Sequence, residues 1–368
     1  MSEDISKFKK FIRPEILGMG GYSARKAPET LKGKTEVPVE QIIKLDANEN
    51  PYGCSPKVWE ALGQHNDYSV YPDSDQTDLR RMLARFAGVR PENIVASNGS
   101  NQLLDLICRL FVGKGDSVIN CTPTFDIYRF STLICGGNQV EVPRDEDFAI
   151  DLPVVKSTIG KGAKLIFLAN PNNPSGNIIP EKDIIEILET GIMTVVDEAY
   201  FEFSGKTVLP LMSKYDNLMI IRTFSKWAGL AGMRVGFGIF HPEIAAYLQK
   251  IKIPYNVSVA AIAAVEASLN DADYLTRTVK LIIAERERLF NELSKIEYLK
   301  VYPSQSNFIL CLVRNGKATD LQQKLQDKGI LVRYFTHPRL QSFIRISVGK
   351  PEHTDALIKA LREIGRSL

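Results

Sequence analysis

The chain contains few cysteines and few histidines, and their spacing speaks against two classes of site. There are five cysteines and four histidines among 368 residues. No two cysteines form a CxxC pair, and an odd count argues against a complete disulfide framework. No histidine has metal-ligand spacing to another histidine or to a cysteine, so we expect neither a zinc site nor another metal site.

Long apolar segments and basic clusters are also missing. The longest apolar run, residues 257–265, is too short to span a bilayer. The N-terminus, Met1 to Lys7, has no apolar stretch of the kind found in a signal peptide. The net charge is +3, without long basic runs. We therefore expect a cytoplasmic protein that binds neither membranes nor nucleic acid.

The middle of the chain has the pattern of an α/β fold. Between residues 93 and 240, short and continuously apolar segments, such as 165–169 and 218–221, alternate with helical segments. Continuously apolar strands that alternate with helices are typical of a mainly parallel sheet covered on both faces. We expect a seven-stranded type of sheet between helices.

The length and the change of pattern after Pro242 indicate two domains and an N-terminal arm. Residues 1–44 form an arm with many Pro and Gly residues, which we expect to pack on the small domain or on a partner subunit. Residues 45–255 form the large domain. Residues 256–368, in which helices dominate at first and strands follow, form a smaller α+β domain.

The segment around Lys226 is unusual, because it places a lysine between two apolar strand segments. Burial lowers the pKa of a lysine, and a neutral amine is a nucleophile for carbonyl groups. Thr223, Ser225 and Arg234 are donors suited to a nearby phosphate group. The alternative is a lysine that extends from the edge of the core to solvent, beside hydroxyl groups that cap a helix.

Four polar groups follow predicted strands of the large domain. They are Asn98-Gly99-Ser100-Asn101, Asn170-Pro171-Asn172-Asn173-Pro174-Ser175-Gly176, Asp197-Glu198-Ala199-Tyr200 and Ser225-Lys226. The first group opens a helix, whose free N–H groups are suited to an anion. Each group alone is more often a turn, a loop or a helix cap. In a parallel sheet, however, all four converge at the carboxyl edge, where ligands bind.

A single ligand, pyridoxal phosphate, accounts for all four groups. It requires a lysine for its aldehyde, an acid for its pyridinium nitrogen and a cradle for its phosphate. We assign the lysine to Lys226 and the acid to Asp197. Asn173 and Tyr200 are placed to bond the ring oxygen, and Phe125 to lie against the ring face.

From about residue 10 to its end, the chain resembles the fold-type I pyridoxal-phosphate aminotransferases. The matching motifs are Asn173-Pro174-Ser175-Gly176, Asp197-x-x-Tyr200 and Ser225-Lys226 with Arg234 eight positions on. Further segments resemble the histidinol-phosphate aminotransferase family more closely. They are Leu45-Asp46-Ala47-Asn48-Glu49-Asn50-Pro51-Tyr52-Gly53, Tyr71-Pro72-Asp73, Leu331-Val332-Arg333 and Phe343-Ile344-Arg345-Ile346-Ser347-Val348-Gly349.

The sequence departs from that family at two places. Phe125 stands where the family often has tyrosine, so stacking is kept and a hydroxyl contact is lost. Asn101 follows Ser100 where many members have an acidic residue. The phosphate cradle survives this change if backbone N–H groups do most of the binding.

The resemblance implies a role for each site residue. Lys226 bonds the cofactor and moves the substrate proton, with Asp197 and Tyr200 as the other catalytic residues. The cofactor phosphate is held by Ser100, Asn101, Thr223, Ser225 and Arg234, and by Tyr71 of a neighbouring subunit, so that a homodimer is implied. Substrate is bound by Arg345, Arg333, Tyr22 and Asn50, with the phosphate of histidinol phosphate in the place of a carboxylate.

The implied reaction is the reversible transamination of L-histidinol phosphate with 2-oxoglutarate, a step of histidine biosynthesis. Alternatives on the same scaffold are an aromatic-amino-acid aminotransferase and a phosphothreonine decarboxylase. A non-catalytic pyridoxal-phosphate-binding regulator is a third alternative, against which the intact Lys226 argues. A purely structural α/β protein is a fourth.

Overall fold

A computed structural model describes residues 7–21, 35, 37–314 and 317–366. In these ranges the chain forms twelve strands: β1 (Ile43–Leu45), β2 (Ile94–Asn98), β3 (Ser117–Thr122), β4 (Asn138–Pro143), β5 (Leu165–Ala169), β6 (Met193–Asp197), β7 (Leu218–Thr223), β8 (Val235–Ile239), β9 (Leu299–Val301), β10 (Phe308–Val313), β11 (Ile330–Tyr334) and β12 (Phe343–Ser347).

The same ranges contain thirteen α-helices. They are α1 (Pro14–Leu17), α2 (Pro56–Gln64), α3 (Thr77–Ala87), α4 (Ser100–Phe111), α5 (Ile127–Ile134), α6 (Leu152–Ile159), α7 (Glu181–Leu188), α8 (Phe201–Ser204), α9 (Pro242–Ile251), α10 (Val259–Leu269), α11 (Ala272–Leu293), α12 (Ala318–Asp327) and α13 (Pro351–Gly365). None of the described helices is both long and apolar enough to cross a membrane.

The larger sheet has seven strands in the order β2-β8-β7-β6-β5-β3-β4. Only β8 runs antiparallel to its neighbours, β7 and β2. The segment 224–234 before β8 contains no α-helix, and a parallel neighbour would need a longer crossover connection. The mainly parallel α/β sheet expected from the sequence is confirmed, and the reversed strand is an addition to it.

The larger sheet separates two apolar cores. Within β5, Ile166 and Leu168 belong to one core, and Leu165 and Phe167 belong to the other. Successive side chains of a strand point to opposite faces, so this sheet is covered on both sides. Burying one such side chain contributes about 1.5–3 kcal/mol relative to exposure. The absence of polar positions along β5 follows from this double covering.

The smaller sheet has five strands in the order β1-β11-β12-β10-β9. Its β1 lies parallel to β11, with Ile43 opposite Ile330, so that residues 43–45 join a sheet formed otherwise by residues 299–347. The expected α+β character of the C-terminal part is confirmed. The division at residues 44 and 255 stays a prediction.

One edge of the larger sheet collects the polar groups named above. Strand β6 ends at Asp197, β7 ends at Thr223, and the antiparallel β8 begins at Val235. Helix α4 begins directly after the end of β2, with Gly99 between them. The fold therefore brings segments distant in sequence to the same edge, as parallel topology requires.

Candidate active site

A cavity of about 370 Å³ lies at this edge. This volume is in the range of small-molecule sites, about 300–1,000 Å³. Its lining includes ten of the residues that the sequence predicts: Ser100, Asn101, Phe125, Asn173, Asp197, Tyr200, Thr223, Ser225, Lys226 and Arg234. The convergence expected from the strand ends is therefore present in the structure.

The N-terminus of α4 forms one wall of the cavity. Gly99 precedes the helix with φ +73°, and no side chain caps the first turn. A Cβ atom on Gly99 would overlap the guanidinium group of Arg234. Glycine is thus required here both for its backbone conformation and for the approach of Arg234. Ser100 and Asn101, the first two residues of this helix, line the cavity, and the start of a helix favours an anion.

Arg234 adds a charged donor next to the start of α4. Its backbone has φ +54°, a left-handed conformation that costs a non-glycine residue about 1–2 kcal/mol. Its Nη1 atom donates to the hydroxyl of Ser225 at 3.3 Å and to the carbonyl of Ala231 at 3.1 Å. The Thr223 hydroxyl lies 3.0 Å from that of Ser225. One guanidinium and two hydroxyl groups therefore meet the N-terminus of α4.

Lys226 bonds a second segment of the chain that lines the cavity. Its Nζ atom donates to the carbonyl oxygen of Ala47 at 2.9 Å. Lys226 and Ala47 both line the cavity, and the lysine is half-buried. The amine is thus held inside the site rather than in bulk solvent.

Asp197, the last residue of β6, is buried and lines the same cavity. Its Oδ2 atom accepts from the Tyr128 hydroxyl at 2.8 Å, and its Oδ1 atom accepts from the Ala199 N–H at 3.1 Å. Burial raises the pKa of Asp197 to about 6, although both hydrogen bonds lower it. A cation within hydrogen-bond reach would lower this pKa and hold the group ionised.

Tyr128 is a site residue that sequence reasoning missed. Its ring stacks on Phe167, with 4.9 Å between centroids, and meets the edge of Phe125 at 5.7 Å. Burial, and next the charge of Asp197, raise the pKa of Tyr128 well above 10, so the hydroxyl is a donor. The bond to Asp197 spans 69 positions, so no local pattern indicates it. The signal in the sequence is limited to the position of Tyr128, three residues after Phe125.

Asn48 is a second missed residue, and it links the two sheets. Its Nδ2 atom donates to the Tyr200 hydroxyl at 3.0 Å. Its Oδ1 atom accepts from the Ser347 hydroxyl, also at 3.0 Å, and Ser347 lies in β12 of the smaller sheet. Tyr200 is therefore oriented by a residue whose own position depends on the smaller sheet.

Arg345 extends from β12 to the edge of the larger sheet. It is 2% exposed, and its Nη1 atom donates to Oδ1 of Asn173 at 2.6 Å. Its Nη2 atom donates to the carbonyl of Asp46 at 2.9 Å. Asn173 also lines the large cavity, so Arg345 lies directly behind a residue expected at the cofactor ring.

A second, smaller cavity of about 60 Å³ adjoins the first, because Phe125 and Asn173 line both. Arg333 and Arg345 both line it and stand opposite one another on β11 and β12. The ring of Phe335 lies 5.7 Å from the guanidinium carbon of Arg333 and 5.8 Å from that of Arg345. The two arginines therefore converge beside the cofactor cavity.

Two predicted residues, Tyr71 and Asn50, line neither cavity, and a third, Tyr22, is not described. Tyr71 is 78% exposed and stacks on Tyr255, with 4.6 Å between centroids. The amide of Asn50 donates to the carbonyl of Trp227 at 2.8 Å, and Asn50 lines neither cavity. Tyr22 lies outside the described residues. The roles expected for these three residues stay predictions.

The residues of the large cavity fit pyridoxal phosphate. The uncapped helix start at Gly99, together with Arg234, provides donors for a dianionic phosphate. Buried Asp197 provides the carboxylate for a pyridinium nitrogen, and Lys226 provides the amine for an aldehyde. Phe125 contributes an aromatic ring to the lining of the cavity.

Comparison with known proteins defines the class first. The family model described as "Aminotransferase class I and II" matches residues 40–361, which is most of the chain. The protein belongs to this aminotransferase family.

Individual proteins that the chain resembles over nearly its whole length are histidinol-phosphate aminotransferases. The chain is 52% identical over 357 residues to a histidinol-phosphate aminotransferase of Dehalococcoides mccartyi, covering 97% of this chain and 98% of that protein. It is 43% identical over 355 residues to the chloroplastic histidinol-phosphate aminotransferase of Nicotiana tabacum, covering 96% and 86%. The crystal structure of the Sinorhizobium meliloti histidinol-phosphate aminotransferase in complex with pyridoxal-5'-phosphate is 30% identical, with a TM-score of 0.87 and coverage of 97% and 98%. The resemblance expected from the motifs is confirmed.

Proposed function

We propose that the protein is a pyridoxal-phosphate-dependent histidinol-phosphate aminotransferase. It would transfer the amino group of L-histidinol phosphate to 2-oxoglutarate, giving imidazole acetol phosphate and L-glutamate, within histidine biosynthesis. The observation that carries the choice of substrate is the pair Arg333 and Arg345, which line one cavity beside that of Lys226. Near-full-length likeness to histidinol-phosphate aminotransferases supports the same reaction.

Two guanidinium groups suit a phosphate better than a carboxylate. A phosphate monoester carries up to two negative charges and three acceptor oxygens, so both arginines can bond it. Each charge-assisted hydrogen bond contributes roughly 1.5–3 kcal/mol. A carboxylate has one charge and uses the second guanidinium only in part. The site is therefore expected to favour a phosphorylated amine.

The chemical step divides among residues of the large cavity. Pyridoxal phosphate, when bound, supplies an electron sink for the bonding electrons of the substrate Cα–H bond. Lys226 would move that proton between the substrate Cα and the cofactor C4′ atom. Ionised Asp197 would keep the ring nitrogen protonated, while Asn173 and Tyr200 hold the ring oxygen. The hydrogen bonds from Ser347 through Asn48 to the Tyr200 hydroxyl would orient that hydroxyl for this contact.

The remaining assignments concern the cofactor phosphate and the substrate. We assign the cofactor phosphate to the start of α4, at Ser100 and Asn101, and to Thr223, Ser225 and Arg234. Asn50 and Tyr22 are assigned to substrate. Location in the cytoplasm is expected from the sequence alone.

A homodimer with shared active sites is part of the proposal. Tyr71 would reach the cofactor phosphate of the neighbouring subunit. Its surroundings support this, because Tyr71 and its stacking partner Tyr255 are neighboured in sequence by Val70 and Ile253, which are 59% and 66% exposed. A patch of exposed apolar side chains is typical of a protein–protein interface.

A panel of amino donors tests the proposed reaction. Each donor is offered with 2-oxoglutarate to the purified, cofactor-loaded protein, and glutamate formation is measured. Histidinol phosphate should show the highest kcat/KM, ahead of phenylalanine, tyrosine and phosphothreonine. A higher kcat/KM for phenylalanine or tyrosine would support an aromatic-amino-acid aminotransferase instead. Release of CO₂ from phosphothreonine would support a decarboxylase.

A further inference from the structure

Arg339 connects the two sheets through main-chain contacts. It lies between β11 and β12, and its Nη1 and Nη2 atoms donate to the carbonyls of Thr122 at 3.0 Å and of Arg144 at 2.6 Å. Thr122 is the last residue of β3, and Arg144 directly follows β4. One guanidinium group from the smaller domain therefore spans two neighbouring strands of the larger sheet.

The acceptors of Arg339 are held in place from behind. The side chain of Arg144 is 2% exposed, and it donates to the carbonyl of Cys121 at 2.9 Å and to that of Phe148 at 2.9 Å. The Arg144 N–H also donates to the carbonyl of Thr122 at 2.8 Å. Both carbonyls that accept from Arg339 thus belong to a fixed part of the larger domain.

The segment that carries Arg339 forms a wall of the second cavity. Phe335, Thr336, His337 and Leu340 line this cavity together with the two converging arginines described above. Leu340 also packs in a small apolar core of buried residues. Residues 123–126 also line this cavity and follow directly after β3. Arg339 therefore joins one lining segment to the strand end from which the other lining segment continues.

We propose that Arg339 is a positioning residue that fastens the 335–341 segment to the larger domain and so holds the substrate-phosphate cavity closed. A closed cavity excludes water, and bonds between guanidinium and phosphate are stronger where water is excluded. Arg339 touches no substrate in this arrangement. It acts through Arg333 and Arg345, and the identity of the bound phosphate rests on the proposed function.

A graded series of variants tests this role in the loaded enzyme. Arg339→Met removes both bonds, and Arg339→Lys keeps the charge and can restore one bond. The matched control is Arg362→Met, which removes an exposed arginine whose Nη2 atom bonds Glu292 at 3.1 Å within the smaller domain. We expect Arg339→Met to raise KM for histidinol phosphate about tenfold, while its kcat stays within about threefold of the wild-type value. The KM of Arg339→Lys should lie between those of the wild type and Arg339→Met.

Thermal unfolding separates positioning from plain stability. We expect Arg339→Met and the control Arg362→Met to lower Tm by similar small amounts, while only the former raises KM. An unchanged KM in Arg339→Met would overturn the proposal. So would a KM that rises equally in the control.

Amide hydrogen exchange gives a readout that needs no turnover. In the wild-type holoenzyme, inorganic phosphate should slow exchange in the 335–341 segment, because an occupied cavity favours the closed arrangement. In Arg339→Met, this segment should exchange faster than in the wild type, and phosphate should protect it less, while β12 stays unchanged. Equal exchange in the two proteins would overturn the proposal. Since the probe is phosphate alone, this result is independent of which amine is the natural donor.

Discussion

The carboxyl group of Asp197 has opposite effects on stability and on catalysis. Burial raises its pKa from the ordinary 3.8 to about 6. In the protein without cofactor, the folded state therefore keeps a proton between about pH 4 and pH 6 that the unfolded chain has released. The free energy of unfolding therefore falls as the pH rises through that window, because the buried carboxyl group is favoured only in its protonated form. A shift of about two pKa units corresponds to about 3 kcal/mol.

Asp197→Asn removes this pH-dependent cost and also the catalytic charge. Without cofactor, the variant should be more stable than the wild type at pH 7 by up to about 3 kcal/mol, and equally stable near pH 4. Urea unfolding across this pH range measures the difference. With cofactor, turnover should fall about 100-fold or more, as for the loss of one preorganised electrostatic group. Near-normal turnover would contradict the assignment of Asp197 to the ring nitrogen.

Tyr128 acts on the same carboxyl group from behind. Tyr128→Phe keeps the ring that stacks on Phe167 and removes the hydrogen bond to Asp197. That bond lowers the pKa of Asp197, so its loss raises this pKa and leaves less of the carboxylate ionised at acidic pH. The acid limb of the kcat/KM profile should therefore move to higher pH, while rates above pH 8 change little. A uniform loss at every pH would indicate a packing defect instead.

At the start of α4, the prediction concerns the single position Gly99, where any side chain would meet Arg234. Gly99→Ala adds a Cβ that overlaps the Arg234 guanidinium at a position with φ +73°. Gly191→Ala is the matched control, since Gly191 has φ +81° and open space around it. Both variants should lose stability from the backbone conformation, by about 1–3 kcal/mol. Only Gly99→Ala should weaken pyridoxal phosphate binding, by about tenfold or more, in an absorbance titration. Equal affinities would place the phosphate elsewhere.

The pairing of β11 with β12 makes a prediction about donor choice. Arg333→Met should lower kcat/KM for histidinol phosphate roughly tenfold to a hundredfold, because one of two phosphate-binding guanidiniums is lost. It should affect phenylalanine or tyrosine much less. Arg345→Met should impair every donor and glutamate, because all of them need that anchor. The ratio between donors decides the matter, and an equal loss for phosphorylated and unphosphorylated donors would contradict phosphate binding by Arg333.

The sequence predicts those elements well whose residues are apolar throughout. Segment 165–169 is predicted as a strand and is one, because all five residues are apolar and all five are buried. Strands β1 and β9 have three residues each, too few for a periodic signal, so the sequence pattern does not reveal them. The direction of β8 also escapes prediction, since pairing depends on a connection rather than on composition.

In the candidate site, too, some residues can be recognised from the sequence and others cannot. Lys226, Asp197 and Arg234 are recognisable because each lies at a strand end within a short motif. Asn48 and Arg339 are not, because their partners lie 152 or more positions away in sequence. Contacts of this kind arise only when two sheets meet, and no local pattern encodes them.

At the scale of the whole molecule, the site depends on both sheets at once. Arg345 of the smaller sheet bonds Asn173 at the edge of the larger one, and Ser347 bonds Asn48. A change in the relative position of the sheets would therefore move both the Arg345 guanidinium and the Tyr200 hydroxyl. Binding of substrate and cofactor orientation are thus expected to be coupled, with each affecting the other equally.

The proposed dimer predicts complementation between inactive variants. Tyr71→Glu places a negative charge against the cofactor phosphate of the neighbouring site, and Lys226→Ala removes the amine of its own site. Either variant alone should be nearly inactive. In a heterodimer, the site that contains Lys226 of one chain receives the intact Tyr71 of the other. After random subunit exchange, half of the dimers are mixed and have one complete site, so about a quarter of wild-type activity should return.

The matched control mixes Lys226→Ala with Asp197→Asn. Both residues line the same cavity of one chain, so no mixed dimer contains a complete site, and activity should stay at the level of the parents. Subunit exchange is followed independently with a size tag on one chain. If exchange occurs and the Tyr71→Glu mixture stays as inactive as this control, each site is built from one chain and Tyr71 has no role across an interface. Recovery only in the Tyr71→Glu mixture would mean that the active unit is the dimer. In that case Arg234 and the start of α4 of one chain bind the cofactor phosphate together with Tyr71 of the other chain.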